Sequence, residues 1–282
     1  MANTERGYDI IGNIAIVKFK RGVGKKEKKK YAEKFLREHK NVKTVLEKSE
    51  KFKGRLRTQG TKHIVGERTK EALYKENNCV FRLNVDSCYF SPRLSSERKE
   101  VGEMARKGEE VLVMFGGVGP FAIVIAKEGK AKRVVSVELG RECNKYTIEN
   151  VKRNKLGDKI EIVQGDVRKV LKKWRKNEQF DRIIMARPNL EDSFLDVAFP
   201  MIRKKGIIHY YGFTENRKFS VPKTLRTMKR VSGYSEEDIE KLKELINKEA
   251  KRAGRKIKIL RIKKAGDIGV KKYRYRIDFR VW

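Results

Sequence analysis

Three short segments place glycines or a carboxylate at the end of an apolar run. An apolar run, Val111–Phe115, leads directly into the turn Gly116-Gly-Val-Gly-Pro-Phe121, and glycine lets a backbone pass close to a ligand. The next apolar run ends at Glu138, where a carboxylate can accept hydrogen bonds from both ribose hydroxyls. The third ends in Gln164-Gly-Asp166, and an aspartate there can reach the exocyclic amine of adenine. We therefore expect an adenosyl cofactor, bound by Gly116, Gly119, Glu138 and Asp166.

The turn favours S-adenosylmethionine over a dinucleotide. It lacks the full Gly-x-Gly-x-x-Gly sequence that cradles a pyrophosphate. Taken alone it is weakly specific, because any tight strand-to-helix turn can use glycine. The two carboxylates at the ends of the next strands are what make a cofactor site the better interpretation of this turn.

The elements around these residues predict a parallel sheet with crossover helices. From residue 97 onward, short apolar runs alternate with amphipathic segments. The predicted strands are Val111–Phe115, Arg133–Glu138, Ile160–Val163, Arg182–Met185 and Gly206–Phe213. The predicted helices are Pro120–Lys127, Arg141–Asn154, Val167–Lys173 and Glu191–Ala198. A final helix, Ser235–Ala253, and strands Ile257–Lys263 and Lys271–Val281 give the ending typical of class I methyltransferases rather than dehydrogenases.

The segment before this pattern predicts a separate small domain. Residues 9–19 indicate one or two strands broken near Gly12-Asn13, and Glu27–His39 indicates a basic helix. Further strands are predicted at Val42–Leu46 and Cys79–Val85. We expect an α+β domain with an antiparallel sheet over residues 1–88, and a Rossmann-like α/β methyltransferase domain over residues 89–282. The basic helix could face RNA or simply be solvated.

Charge indicates a polyanionic partner. The chain has 282 residues, with 71 Lys and Arg against 37 Asp and Glu, a formal net charge of +34. The ion-pair networks of thermophilic proteins use both signs in comparable numbers, so this excess favours nucleic acid.

The three cysteines and three histidines show no metal-ligand or disulfide spacing. No apolar run is long enough to cross a bilayer. We expect a cytoplasmic monomer without metal.

Several segments resemble the archaeal and eukaryotic family of tRNA (guanine-37-N1)-methyltransferases. They are Tyr8-Asp-Ile-Ile-Gly-Asn-Ile-Ala-Ile16, Gly54-Arg-Leu-Arg57, Tyr89-Phe-Ser-Pro-Arg-Leu-Ser-Ser-Glu-Arg98, Met114-Phe-Gly-Gly-Val-Gly-Pro-Phe121 and Gly206-Ile-Ile-His-Tyr-Tyr211. The resemblance covers nearly the whole chain, and the Tyr89–Arg98 block is its most specific part. It implies methyl transfer from S-adenosylmethionine to N1 of the guanosine on the 3′ side of the tRNA anticodon.

The resemblance also implies roles for individual residues. Glu97 would be the general base for the N1 proton, and Arg57 the cation near guanine O6. Such a pair suits the chemistry, because N1 is protonated at neutral pH and negative charge develops on O6 once its proton leaves. Without the resemblance, Glu97 would read as an ordinary acid at a helix start after Ser95 or Ser96. The remaining implied cofactor-site residues are Tyr89, Arg93, Phe115 and Pro188.

Three features depart from the family pattern. Val113 replaces an acid in the first cofactor strand, and Ala186-Arg-Pro-Asn189 replaces an Asn-Pro or Asn-Leu-Pro segment. The chain also begins almost at the family's second domain, so we expect the domains present to hold the tRNA. The altered segment resembles an archaeal branch that also methylates a carbon, C7, of the tricyclic 4-demethylwyosine nucleoside.

Other functions stay open at this point. An aminocarboxypropyltransferase of wybutosine synthesis resembles this family in fold and also uses S-adenosylmethionine. A non-catalytic RNA-binding protein with a degenerate cofactor fold is the non-enzyme alternative. A cytosine C5-methyltransferase is disfavoured, because no cysteine follows Cys143.

Overall fold

The computed structural model describes residues 5–50, 52–174, 178–186, 191–215, 236–269 and 272–282. Within these ranges the strands are β1 Glu5–Ile11, β2 Ile14–Phe19, β3 Thr44–Lys48, β4 Thr61–Gly66, β5 Glu71–Glu76, β6 Cys79–Asn84, β7 Glu110–Met114, β8 Arg133–Glu138, β9 Ile160–Gln164, β10 Phe180–Met185, β11 Ile202–Glu215, β12 Ile257–Gly269 and β13 Lys272–Val281. The α-helices are α1 Lys25–Glu38, α2 Ser95–Glu103, α3 Pro120–Glu128, α4 Arg141–Arg153, α5 Val167–Trp174, α6 Leu195–Ala198 and α7 Glu236–Arg252. Two compact units result, Met1–Glu109 with Phe115–Val167, and Glu110–Met114 with Arg168–Trp282.

A four-stranded sheet of order β1-β2-β3-β4 opens the first unit. β1 and β2 form the hairpin expected around Gly12-Asn13, with Ile11 opposite Ile14. Gly12 takes φ +57°, and a Cβ there would lie 1.9 Å from the carbonyl oxygen of Leu73, so only glycine fits. α1 buries Ala32 and Phe35 against this sheet.

Two sequence expectations for this region are wrong. The sheet is mixed rather than antiparallel, because α1 serves as a crossover that makes β3 parallel to β2. The strand expected at Cys79–Val85 lies outside this sheet and pairs instead with β5 in a separate antiparallel hairpin. β4 and β5 were not expected, since their charged residues break the apolar alternation.

The β5–β6 hairpin is held in the first unit by asparagines of α4. Asn150 accepts a hydrogen bond from the backbone N–H of Arg82 at 2.7 Å and donates to its carbonyl at 3.0 Å. One turn later, Asn154 makes the same pair of bonds to Val80, at 2.9 and 2.8 Å. The two side-chain amides thus take the place of a neighbouring strand along the edge of β6.

The Rossmann-like fold has strands in both units: the first unit pairs β8 with β9, and the second holds β12-β13-β11-β10-β7 in that order. In the first unit β8 and β9 are parallel, and in the second β7, β10 and β11 are parallel. β13 runs antiparallel between β11 and β12. The expected ending of helix, strand and strand is therefore confirmed, as is the α/β fold class with a preceding small α+β region.

The helix expected at Glu191–Ala198 is confined to Leu195–Ala198. The side chains of Asp192 and Ser193 accept hydrogen bonds from the backbone amides of Phe194 and Leu195. Such local bonds hold the chain in a turn instead of a helix. Among the described helices, none has the length and apolarity to cross a bilayer.

Candidate cofactor and catalytic site

The glycine turn after β7 has the backbone of a ligand-binding loop. Phe115 takes φ +64° and Gly117 φ +58°, both in the left-handed region. Gly116 donates to the carbonyl of Val137 at 2.9 Å, and a Cβ there would lie 2.2 Å from Ser136 Oγ. A side chain at 116 would therefore have to displace the Ser136 hydroxyl at the end of β8. A Cβ at 117 would meet nothing closer than 3.9 Å, so this side of the turn is open.

Two side chains of α4 fix the carbonyls of this turn. Thr147 Oγ1 donates to the carbonyl of Gly117 at 2.8 Å, and Asn150 Nδ2 to that of Val118 at 3.1 Å. Sequence analysis missed both residues. Their signal was present as polar side chains three residues apart on the buried face of α4.

Glu138 joins the turn to the end of β8. Its Oε2 accepts from the backbone N–H of Gly117 at 2.8 Å, and its Oε1 from that of Gly140 at 2.6 Å. Burial raises the pKa of this carboxyl, and the backbone hydrogen bonds oppose that rise. Each carboxylate oxygen can accept more than one hydrogen bond, so the group that holds the loop can also receive ribose hydroxyls.

Asp166 lies beside the same strand end. Gly165 donates to the carbonyl of Glu138 at 2.8 Å, which places the turn after β9 next to the end of β8. The Asp166 side chain is 17% exposed, and its Oδ2 pairs with Arg55 Nη2 at 2.7 Å. The structure therefore brings together the glycine turn and both predicted acids.

Tyr89 and Arg57 also meet. The Arg57 guanidinium carbon lies 5.5 Å from the centre of the Tyr89 ring and 5.4 Å from that of Phe52, and the two rings pack edge to face at 4.9 Å. The backbone carbonyl oxygen of Tyr89 is the atom nearest to a Cβ built on Gly117. Arg57 thus reaches the neighbourhood of the cofactor turn through Tyr89. Phe52 is a member of this cluster that the sequence did not indicate.

Glu97 is buried, with 5% exposure, in the first turn of α2. The helix begins at Ser95 and its N-cap is Leu94, so neither Ser95 nor Ser96 caps it. The neighbouring Arg98 fixes this turn through a buried ion pair with Glu76, whose Oε2 lies 2.6 Å from Nη2. The structure therefore places Glu97 in the first turn of α2 and buries it there, and its role as a base stays a prediction.

Arg93 is a predicted cofactor residue that the structure does not bring to this cluster. The Arg93 side chain is 70% exposed and pairs with Asp9 at 2.5 Å. Pro188 lies outside the described residues. Within the part of the chain that the structure describes, no group of three or more His, Cys, Asp or Glu is arranged to hold a metal ion.

The residues present fit an adenosyl cofactor. Three successive strands of the Rossmann-like fold are followed by a glycine turn with one open side, by Glu138 and by Asp166. Glu138 stands where an acid can accept ribose hydroxyls, and Asp166 where an acid can reach the adenine amine. The helix, strand and strand that complete this sheet define a class I methyltransferase.

The chain belongs to the TRM5/TYW2 methyltransferase family. The TRM5/TYW2 methyltransferase domain matches residues 72–240, and the TYW2 N-terminal domain matches residues 1–69. The protein is therefore an S-adenosylmethionine-dependent methyltransferase.

Two relatives match almost the whole chain. The tRNA (guanine(37)-N(1))-methyltransferase Trm5b of Pyrococcus abyssi is 37% identical over 97% of this chain and 74% of its own length. The tRNA (guanine(37)-N(1))/4-demethylwyosine(37)-methyltransferase Taw22 of Nanoarchaeum equitans is 34% identical over 96% of this chain and 98% of its own length.

Solved structures show the same fold. The crystal structure of the Pyrococcus abyssi Trm5b covers 98% of this chain and 75% of its own, with a TM-score of 0.78 and 35% identity. An aTrm5 solved as a complex with tRNALeu covers 98% of this chain and 72% of its own, with a TM-score of 0.80 and 25% identity.

Proposed function

We propose that this protein methylates N1 of guanosine 37 in tRNA, and that it also methylates C7 of 4-demethylwyosine at the same position. The observation that carries the first activity is the cluster of Arg57 and Tyr89 beside the glycine turn, in a chain whose relatives bear that activity in their names. The second activity is supported by the similarity to Taw22 over nearly the full length of both chains.

In this proposal Glu97 is the general base. Its carboxylate takes the N1 proton of guanine, and the freed electron pair on N1 forms the new N–CH3 bond. When bound, S-adenosylmethionine supplies that methyl group from a sulfonium, whose sulfur keeps the electrons of the broken bond. The arginine–glutamate pair beside Glu97 holds the turn that presents this carboxylate.

Arg57 stabilises the negative charge that develops on O6. Its place against the rings of Tyr89 and Phe52 fixes the guanidinium, and a preoriented cation is worth more than one that must reorganise. The rest of the proposed cofactor site is Tyr89, Phe115, Gly116, Gly119, Glu138, Asp166 and Pro188.

RNA would be bound by the region 1–88 together with the methyltransferase domain at 89–282. The net charge of +34 supports a polyanionic substrate, and a related structure is a complex with tRNA. The proposed setting is the cytoplasm, with the protein acting as a monomer.

Nucleoside analysis tests both activities. The protein is incubated with S-adenosylmethionine and either an unmodified transcript or tRNA carrying 4-demethylwyosine at position 37, and the digested nucleosides are identified by mass spectrometry. We expect 1-methylguanosine from the first substrate and a methylated tricyclic nucleoside from the second. Addition of an aminocarboxypropyl group, or no product from either RNA, would contradict the proposal.

A further inference from the structure

The short turn Gly54–Arg57 is built rigidly, although it lies on the surface. Gly54 and Arg57 both have positive φ, +64° and +55°. The backbone N–H of Lys53 donates to the carbonyl of Thr58 at 2.8 Å, and the backbone N–H of Arg57 donates to the carbonyl of Gly54 at 3.2 Å. Just beyond, the buried side chain of Gln59 donates to the carbonyl of Val85 at 2.9 Å. These bonds close the turn at its base and anchor it.

Consecutive residues of this turn reach different parts of the cofactor site. Arg55 pairs with Asp166 after β9 at 2.7 Å. Leu56 contacts the loop that follows β8, where its Cδ2 is 3.5 Å from a Cβ built on Gly140. Arg57 stacks with Tyr89. The turn therefore runs along the strand ends that carry the two predicted cofactor acids.

Leu56 presents apolar surface at this edge. It is 44% exposed, and Leu139, which follows the ribose acid, is 37% exposed. Large apolar side chains that stay partly exposed beside a ligand site gain free energy when a ligand covers them. The flat faces of adenine are a ligand of that kind, and the amine at its edge matches the acceptor on Asp166.

We propose that the Gly54–Arg57 turn forms one wall of the adenosine site, a conclusion that rests on the proposed cofactor role of Glu138 and Asp166. Leu56 packs on adenine. Arg55 holds one oxygen of Asp166 at 2.7 Å and so orients the carboxylate for the adenine amine. Because Arg57 belongs to the same turn, a bound cofactor also fixes the cation proposed to act on guanine O6.

Calorimetric titration with S-adenosylmethionine, without RNA, tests this wall. Arg55→Gln and Leu56→Ala are each expected to weaken cofactor binding by about 3- to 10-fold, from a partly exposed ion pair and a partly buried leucine respectively. Arg133→Gln is the control for the first, since Arg133 pairs with Glu161 at 2.6 Å near the opposite ends of the same two strands. Leu260→Ala is the control for the second, because Leu260 is 43% exposed on β12. Both controls should bind as the wild type does.

The outcomes separate this inference from the proposed function. If Arg55→Gln and Leu56→Ala bind S-adenosylmethionine as the wild type does, and the wild type binds and methylates, the proposal that this turn forms a wall of the adenosine site is refuted. The proposed function then still stands. Tighter binding by Arg55→Gln would also overturn it, because Arg55 would then compete with adenine for Asp166. A wild type that gives no heat with S-adenosylmethionine would instead contradict the cofactor site itself.

Discussion

At the residue scale, a few side chains of the candidate site hold backbone in addition to their proposed ligand contacts. Glu138 shows this most directly, since both of its oxygens accept backbone N–H groups of the loops that flank it. Loss of this carboxylate would remove the proposed ribose contacts and loosen the glycine turn together. Stability must therefore be measured beside affinity whenever this residue is changed.

Cofactor affinity gives the first prediction. Glu138→Ala and Gly116→Val should each weaken S-adenosylmethionine binding, the first by roughly 2 to 4 kcal/mol for two hydrogen bonds to a charged acceptor. Gly116→Val acts sterically, because even a Cβ there would lie 2.2 Å from Ser136 Oγ. Calorimetry measures the affinities, and thermal unfolding confirms that each variant is folded. Wild-type affinity in both variants would place the cofactor elsewhere.

The second prediction concerns Glu97. Glu97→Gln keeps the size of the side chain but cannot take a proton, so single-turnover methylation of guanosine should slow by roughly a hundredfold or more. Cofactor and tRNA affinities should change little, because the lost interaction belongs to the transition state. Arg57→Ala should also be slow, through loss of charge stabilisation. A near-normal chemical rate in Glu97→Gln would refute its role as the base.

At the element scale, the long strands of the second unit enclose a charged network that the sequence did not reveal. His209 on β11 lies opposite Asp278 on β13, with Nδ1 2.6 Å from Oδ1. Its Nε2 is 2.6 Å from Arg182 Nη1. Arginine can only donate, so Nε2 must accept and the proton must sit on Nδ1. The histidine is therefore neutral in the folded protein.

The pH dependence of stability follows from this network. Burial and the nearby arginines lower the pKa of His209 from 6.5, against the opposing effect of Asp278. The unfolded state then binds the proton more readily than the folded state does. The contribution of neutral His209 to the free energy of unfolding is therefore complete above about pH 6.5. It is lost as the pH falls below that value, by at most about 1.4 kcal/mol per pH unit.

Denaturant titrations at pH 7.5 and 5.5 measure the effect. His209→Gln can still accept from Arg182 and donate to Asp278, so it should lose less stability than the wild type over this interval. His63→Gln, at a histidine bonded to the exposed carbonyl of Gly66 at 3.1 Å, is the control and should follow the wild type. An equal loss in His209→Gln and the wild type would contradict a neutral buried histidine.

Elements with regular apolar patterns could be predicted from the sequence, whereas elements fixed by single polar contacts could not. The strand Arg133–Glu138 and the start of α3 at Pro120 were predicted at the residue where the structure has them. β4 and β5 carry too many charged residues to show an alternating apolar pattern. The parallel pairing of β2 with β3, which makes the first sheet mixed, depends on tertiary contacts that the sequence pattern does not indicate.

The site followed the same division. Strand-end acids and glycines are local features and were indicated by spacing. The asparagines of α4, the Arg98–Glu76 pair and the Arg55–Asp166 pair join residues far apart in sequence, and the last of these spans 111 positions. Such partners become visible only once the chain is folded.

At the scale of the whole molecule, the net charge of +34 predicts that phosphate contacts dominate the proposed binding of RNA. With 71 cationic against 37 anionic side chains, tRNA binding should release many counterions. Raising salt from about 50 to 200 mM should weaken tRNA binding by orders of magnitude, of the size expected for six to ten phosphate contacts. Affinity for S-adenosylmethionine should change little. Equal salt sensitivity of the two ligands would argue against an RNA surface dominated by phosphates.

Methylation of a matched pair of transcripts tests the central claim most directly. One tRNA transcript carries guanosine at position 37 and the other adenosine, and each is incubated with the protein and S-adenosylmethionine labelled in the methyl group. The account predicts label in the first RNA alone, recovered as 1-methylguanosine. Equal labelling of both transcripts, or none in either although the cofactor binds, would contradict it.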